Sequence, residues 1–270
     1  MTILRCPVCQ LELLREEKRY ACAGGHGFDI ARQGYVNLLL SSHRPSRAPG
    51  DSAAMLADRR AFLDAGHYAP LRAHMLERLD ALRGDRARQR VLDLGCGEGY
   101  YSAAFAGDGR EVYALDIAKP ALASAARRSR EVVWCVGNSK ALPFADAGLD
   151  AVLNIFCNPH PEETRRVLAG DGVLLLAGPG PEHLAELREV LYESVRRQDS
   201  AAPGALLEQG FTLAHSATLD YRMRLDRAAL GQLARMTPHY WRATRERRER
   251  LEQFDGLDLR AQFVVREFRR

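Results

Sequence analysis

A chain of 270 residues that is 46% hydrophobic and 27% charged can bury a core for one large domain plus a small satellite, which excludes a disordered or low-complexity protein. No apolar run reaches membrane-spanning length and the N-terminus reads Cys-Pro-Val-Cys where a signal peptide would stand, so no membrane partner and a cytoplasmic location are expected. The formal charge of +4 is modest, but the basic residues are nearly all arginine and they cluster: Arg44, Arg47, Arg59 and Arg60; Arg127, Arg128 and Arg130; and Arg242 to Arg250. Such runs form solvated helix faces or grip phosphates, which keeps nucleic acid open as a partner.

Residues 1–40 read as a module of their own. Cys6, Cys9, Cys22 and His26 fall as Cys-x2-Cys-x12-Cys-x3-His, two knuckles separated by a hairpin-like span. Three thiolates and one imidazole close a tetrahedral zinc shell with no open position, the requirement for a structural metal. So short a span has no proper core, so metal binding would supply most of its folding energy. Phe28 to Leu39 is an apolar segment suited to docking the module, and Ser41 to Gly50, rich in Pro, Ser and Arg, reads as a loop.

Residues 41–84 form a linker with two helices. Asp51 has N-cap character, with Met55, Leu56, Arg59, Phe62 and Leu63 at helical spacing until Gly66. A second helix is predicted from Pro70 to Arg83, burying Leu71, Met75, Leu79 and Leu82. Residues 85–270 then alternate strand and helix, which predicts an α/β fold with a parallel, Rossmann-like sheet. Strands are expected at 91–94, 111–116, 132–136, 150–155 and 172–177, with helices at 119–129 and 161–168 and a long helix from His183 to about Arg197. His183 is placed as the cap of that helix, with the cofactor pocket as its other reading. Phe211–Leu225 and Leu259–Phe268 read as an antiparallel pair closing the sheet, with Asp226 capping a short helix between them. Met236 to Trp241 is an aromatic turn beside the last arginine run, suited either to stacking on unpaired bases or to padding a core edge.

The chemistry centres on Val91-Leu92-Asp93-Leu94-Gly95-Cys96-Gly97-Glu98-Gly99, an apolar strand running into a glycine turn and then a helix. Glycines let backbone N–H groups and the helix N-terminus approach a ligand closely. The third glycine comes one place early for a dinucleotide fingerprint, and Tyr100 stands where it should be. The carboxylate of Asp93 would repel a pyrophosphate and suits a cationic ligand carrying an amino group and a sulfonium. Asp116, ending the second strand, can accept both hydroxyls of an adenosine ribose. Asn138 and Ser139 follow the third strand, where an adenine edge would lie, and Asn154 ends the central strand facing the reaction centre.

The glycine turn resembles the first motif of class I methyltransferases, which bind S-adenosyl-L-methionine. Across essentially its whole length the chain resembles the bacterial 23S ribosomal RNA (guanine-N1)-methyltransferases. The resemblance rests on Cys6–Cys9 with Cys22–His26, on Gly34 to Leu39, on Pro49 to Ser52, on Arg60 to Tyr68, on Gly95 to Tyr101, and on Met236-Thr237-Pro238. It implies a zinc module joined to a class I domain, methyl transfer to a guanosine in the hairpin 35 loop of 23S rRNA, and a homodimer as one assembly. It also implies a link to macrolide resistance for one of the family's two target guanosines. By the same resemblance Tyr68 and His183 join Asp93, Gly95, Cys96, Gly97 and Asp116 as cofactor contacts, and Glu98 is a further candidate from its place in the glycine turn. Cys157-Asn158-Pro159-His160 departs from the family pattern.

Guanine N1 is protonated at neutral pH, so methyl transfer needs that proton removed or the anionic base stabilised. Asn154, Asp29 and His160 are the candidates for this role. The rival readings are a methyltransferase acting on a small molecule or quinone precursor, which leaves the zinc module without a task, and a non-catalytic zinc-bearing RNA-binding protein, which would need a dead cofactor pocket.

Overall fold

The computed structural model describes residues 2–40, 52–107, 109–193 and 204–270. Arg44 and Arg47, the loop 41–50 and Asp51 lie outside them. The N-terminal region folds as a three-stranded antiparallel sheet of β1 (Leu14–Arg15), β2 (Arg19–Ala21) and β3 (Gly27–Asp29). The chain then leaves this small sheet, and β4 (Tyr35–Asn37) becomes the edge strand of a second sheet.

Two helices follow. In α1 (Ala53–Asp64) the cap is Ser52, one residue later than the sequence pattern placed it. Its extended backbone lets its hydroxyl accept from the Met55 N–H, three residues into the turn, which satisfies one of the helix's unpaired donors. α2 (Ala69–Arg83) buries Leu71, Met75 and Leu79, as its spacing predicts, while Leu82, expected with them, is only partly buried near the helix end.

From Gln89 the elements are β5 (Gln89–Leu94), α3 (Tyr100–Phe105), β6 (Arg110–Asp116), α4 (Lys119–Ala125), β7 (Val133–Val136), β8 (Leu149–Ile155), α5 (Pro161–Val167), β9 (Leu168–Pro179) and α6 (Ala185–Leu191). They are followed by α7 (Gly204–Glu208), β10 (Thr212–Asp226), α8 (Arg227–Arg235), α9 (Pro238–Arg242), α10 (Arg245–Glu252) and β11 (Gly256–Arg269). The eight-stranded sheet has the order β10-β11-β9-β8-β5-β6-β7-β4. It is parallel from β9 to β4, and β11 and β10 add antiparallel at the other end. Strand order reverses between β5 and β8, so the crevice at their carboxyl ends is where a doubly wound sheet binds its ligand.

Alternation along the strands divides the core into two layers. Val91, Val112, Ala114 and Leu153 face α1, α2, α3 and α4, while Leu92, Tyr113, Leu115 and Val152 face the opposite side. That second layer is completed by the N-terminal region itself. Leu4, Leu13 and Tyr20 are buried in it with Leu142 and Phe144, and Arg5 N–H donates to Pro143 O at 2.9 Å. The small metal-ligating region thus covers the sheet where a crossover helix would otherwise lie.

The antiparallel pair expected near the C-terminus is β10–β11, and Asp226 caps α8 by accepting from the Ala229 N–H. The long helix predicted from His183 to about Arg197 is shorter in the structure, because α6 ends at Leu191 with Tyr192 extended, and the predicted end near Arg197 lies outside the described residues. His183 lies ahead of α6, and Leu184, in the left-handed region at φ 53°, turns the chain into it. The Leu184 N–H donates to Arg260 O at 2.8 Å, so pairing with β11 fixes this turn, a long-range contact that local sequence does not carry.

Candidate active site and metal centre

At the end of β5 the chain passes through Gly95, Gly97 and Gly99, with φ of 82°, 55° and 83°. Two of these are also tightly approached. A Cβ on Gly95 would fall 2.5 Å from the Cys157 sulfur, and one on Gly99 would fall 2.6 Å from the Trp134 ring. Only glycine meets both demands.

Around this turn the structure gathers Tyr68, Asp93, Gly95, Cys96, Gly97 and Glu98 into one pocket, closed by Arg59, Leu63 and Met236 on one side and by Ile155 and Phe156 on the other. Asp93 is 2% exposed, and its carboxylate accepts from Ser102 Oγ at 2.5 Å. Burial pushes its pKa up to about 6, with the nearby Asp116 charge adding to the rise and the Ser102 bond opposing it. A buried carboxylate poised so high is stabilised by an incoming cation, which fits the amino and sulfonium charges of S-adenosylmethionine. Asp116 accepts from the Gly97 N–H at 2.9 Å and the Ala118 N–H at 2.8 Å, which holds its carboxylate beside the turn.

Asn154 is fully buried at the end of β8. Its Nδ2 donates to Leu94 O at 3.2 Å, and Oδ1 has no hydrogen-bond partner among the described residues. An orphaned acceptor beneath the glycine turn is a further sign that the site is built to take a polar ligand.

Glu98 contributes its backbone to the pocket, but its carboxylate is 1% exposed and paired with Arg128 at 2.5 Å. Arg128 also bonds Asp64 of α1 at 2.8 Å, so this arginine of the second cluster braces the glycine turn against α1 and is committed within the fold. Arg127 and Arg130 beside it are exposed. His183 is buried, with its ring 3.3 Å from the Tyr68 hydroxyl and its Nδ1 accepting from the Gln262 N–H. Burial and the Arg188 and His239 charges depress its pKa to about 3. It is therefore a neutral support behind Tyr68.

The remaining predicted positions lie elsewhere. Asn138 and Ser139 follow β7, and the Asn138 side chain accepts from the Lys140 N–H at 2.9 Å. Asn138 lines a separate cleft with Arg5, Gln10 and Lys140, at the seam between the N-terminal region and the sheet. Asp29 sits exposed on β3, and His160 occupies the cap position of α5; neither lines the pocket. A wider cleft near His67, Arg224, Asp226 and Asp258 contains none of the predicted cofactor residues. Arg59, Phe156 and Met236 were not foreseen in the pocket. For Phe156 the sequence carries only its position after a buried strand.

The four predicted metal ligands converge, their ligand atoms all lying within 4.8 Å of one another. Cys9 and Cys22 sulfurs are 3.6 Å apart, and His26 Nδ1 is 3.4 Å from Cys22 Sγ and 3.6 Å from Cys6 Sγ. Zinc–sulfur bonds of about 2.3 Å at tetrahedral angles require edges of about 3.8 Å, so the residues fit zinc. With four protein donors such a metal is structural.

Comparison with known proteins finds relatives of both parts of the chain. Residues 4–47 match the zinc-ribbon family profile described as RlmA, N-terminal, and residues 91–172 match a methyltransferase domain profile. The 23S rRNA (guanine(748)-N(1))-methyltransferase of Streptomyces fradiae is 37% identical over 244 residues, covering 88% of this chain and 85% of that protein. A Micromonospora griseorubida protein, provisionally assigned as a 23S rRNA (guanine-N(1)-)-methyltransferase, is also 37% identical, over 88% of this chain and 86% of its own. Among solved structures the YcgJ protein of Bacillus subtilis aligns at a TM-score of 0.48 with 20% identity, covering 73% of this chain and 99% of that one. A methyltransferase domain behind a zinc ribbon, matched along nearly its full length by these relatives, places the chain in the 23S rRNA (guanine-N1)-methyltransferase family.

Proposed function

We propose that the protein transfers a methyl group from S-adenosylmethionine to N1 of a guanosine in the hairpin 35 loop of 23S rRNA, acting in the cytoplasm, with a homodimer as its working assembly. One observation carries the reading. The zinc-ligating region is built onto the methyltransferase sheet through β4 and the Leu4–Phe144 layer, so RNA grip and methyl-transfer pocket belong to one body. A small-molecule enzyme would have no use for that region.

Bound S-adenosylmethionine supplies an electrophilic methyl group on a positive sulfur. Asp93 would serve its cationic end and Asp116 the ribose hydroxyls, while the Asn138 side chain faces a separate cleft and is not carried into the adenine-edge role. Guanine N1 gains the methyl group as the carbon–sulfur bond breaks to leave a neutral thioether, and the N1 proton passes to solvent water. None of the three candidates for handling that proton lines the pocket, and Asn154, buried beneath Leu94, carries an amide that accepts a hydrogen bond without removing a proton. Alignment of N1 with the methyl group then carries much of the rate. The target base leaves its stack to enter, while exposed arginines such as Arg127, Arg130 and Arg242 hold the hairpin by its phosphates.

The test is primer extension on 23S rRNA from cells with and without the gene. A reverse-transcription stop in the hairpin 35 loop that depends on the gene supports the reading, because N1 methylation blocks base pairing. Identical patterns in both strains refute it.

A further inference from the structure

Phe156 stands out at the mouth of the pocket. It follows β8 directly and adopts φ 59°, the left-handed region that a bulky side chain avoids. It is also 40% exposed, although its neighbours Tyr68, His183 and Phe263 are buried. An exposed aromatic in a disfavoured conformation costs stability twice over, and such strain persists where a ligand needs it.

The surroundings explain how the conformation is held. The Phe156 N–H donates to Ala177 O at 2.9 Å, which keeps the residue in register with β9. The next side chain, Cys157, is seated against Gly95. Between these two anchors the ring is thrust out beside the glycine turn. Phe263 meets it near edge-on at 5.7 Å, and Tyr68 lies 6.1 Å away, tilted by 37°. Both supporting rings are buried, so the platform is rigid.

We infer that Phe156 is the surface on which the unstacked guanine of the substrate RNA lies during methyl transfer. The inference rests on the RNA-methyltransferase reading given above. A base drawn out of its helix needs an apolar plane to replace its lost stacking partners, and an aromatic face provides one for any base. The position suits the task, being at the carboxyl end of the central strand and on the rim of the cofactor pocket. Phe156 is thus a positioning group: it holds the plane of the base and takes no part in proton transfer.

The test compares wild type with Phe156→Leu, Phe156→Gly and Phe156→Tyr in single-turnover methylation of a hairpin 35 transcript, with cofactor affinity measured by calorimetry and folding by thermal melts. Leucine keeps apolar bulk without an aromatic face, and glycine relieves the left-handed strain. The expected result is a roughly ten- to hundredfold lower methylation rate for the leucine and glycine variants. Tyrosine should stay near wild type, the loss of rate in the leucine and glycine variants should exceed any loss of cofactor affinity at least tenfold, and the glycine variant should melt no lower than wild type. Retention of the wild-type rate by Phe156→Leu would overturn the inference, as would a loss in Phe156→Leu matched by an equal loss of cofactor affinity. If the wild-type protein binds cofactor and methylates no RNA, the functional reading itself falls, and this inference with it.

Discussion

Replacing Asp93 with asparagine should make the protein more stable and weaken its hold on the cofactor. The carboxyl titrates near 6 in the fold against 3.8 in the unfolded chain, chiefly because it is buried at 2% exposure. The folded state therefore holds its proton more tightly than the unfolded state does, and stability contributed by the protonated form is lost as pH rises from about 4 through about 6. Above that range ionisation costs the fold about 3 kcal/mol, at about 1.4 kcal/mol per pH unit of difference. Asparagine keeps the acceptor for Ser102 Oγ and removes the charge. Cofactor-free Asp93→Asn should gain up to about 3 kcal/mol at pH 7.5 and about half that at pH 5, and the melting point should rise by roughly 5–10 °C at the higher pH. Cofactor affinity should fall roughly ten- to hundredfold, the worth of a charge-assisted hydrogen bond. Urea unfolding at the two pH values, with calorimetric cofactor titration, measures both effects. A variant that is destabilised equally at both pH values, or that binds cofactor as wild type does, would refute the assignment of Asp93.

Further expectations follow from neighbouring groups. Wild-type cofactor affinity should weaken below pH 6, approaching tenfold per pH unit as Asp93 takes up its proton, and calorimetry between pH 5 and 8 checks this. Arg128→Ala leaves the Glu98 carboxylate buried at 1% exposure without its partner, and should cost about 3 kcal/mol in urea unfolding, largely recovered by adding Glu98→Gln. His183, with its pKa depressed to about 3, should show no protonation above pH 5 by NMR. Because the unfolded histidine titrates near 6.5, its burial works against stability as pH falls below that value. Cys22→Ser should lose zinc by metal analysis and expose the Leu4–Phe144 layer, which faster proteolytic cleavage near the N-terminus would report.

The strands were legible because the unbroken apolar runs Val91–Leu92 and Val112–Leu115 reflect a sheet buried on both faces. The glycine turn and the four metal ligands were legible because their chemistry tolerates few other residues. What the sequence concealed was set by distant contacts. Tyr35–Asn37 read as a docking segment and became β4 through pairing with Trp134 to Val136. Arg128 read as a possible phosphate ligand in a cluster, yet Glu98 and Asp64 claim it from other elements. His183 read as a helix cap because local spacing allowed it, and pairing with Gln262 on β11 drew it behind Tyr68. Phe156 gave no signal, since a left-handed phenylalanine looks like any other in sequence.

The central claim is tested most directly by incubating purified zinc-loaded protein with labelled S-adenosylmethionine and 23S transcripts spanning hairpin 35, beside transcripts whose loop guanosines are replaced. The account predicts label in the native transcript, none in the replaced one, and a primer-extension stop at a single loop guanosine. Cofactor binding without label in any transcript at low salt would contradict it.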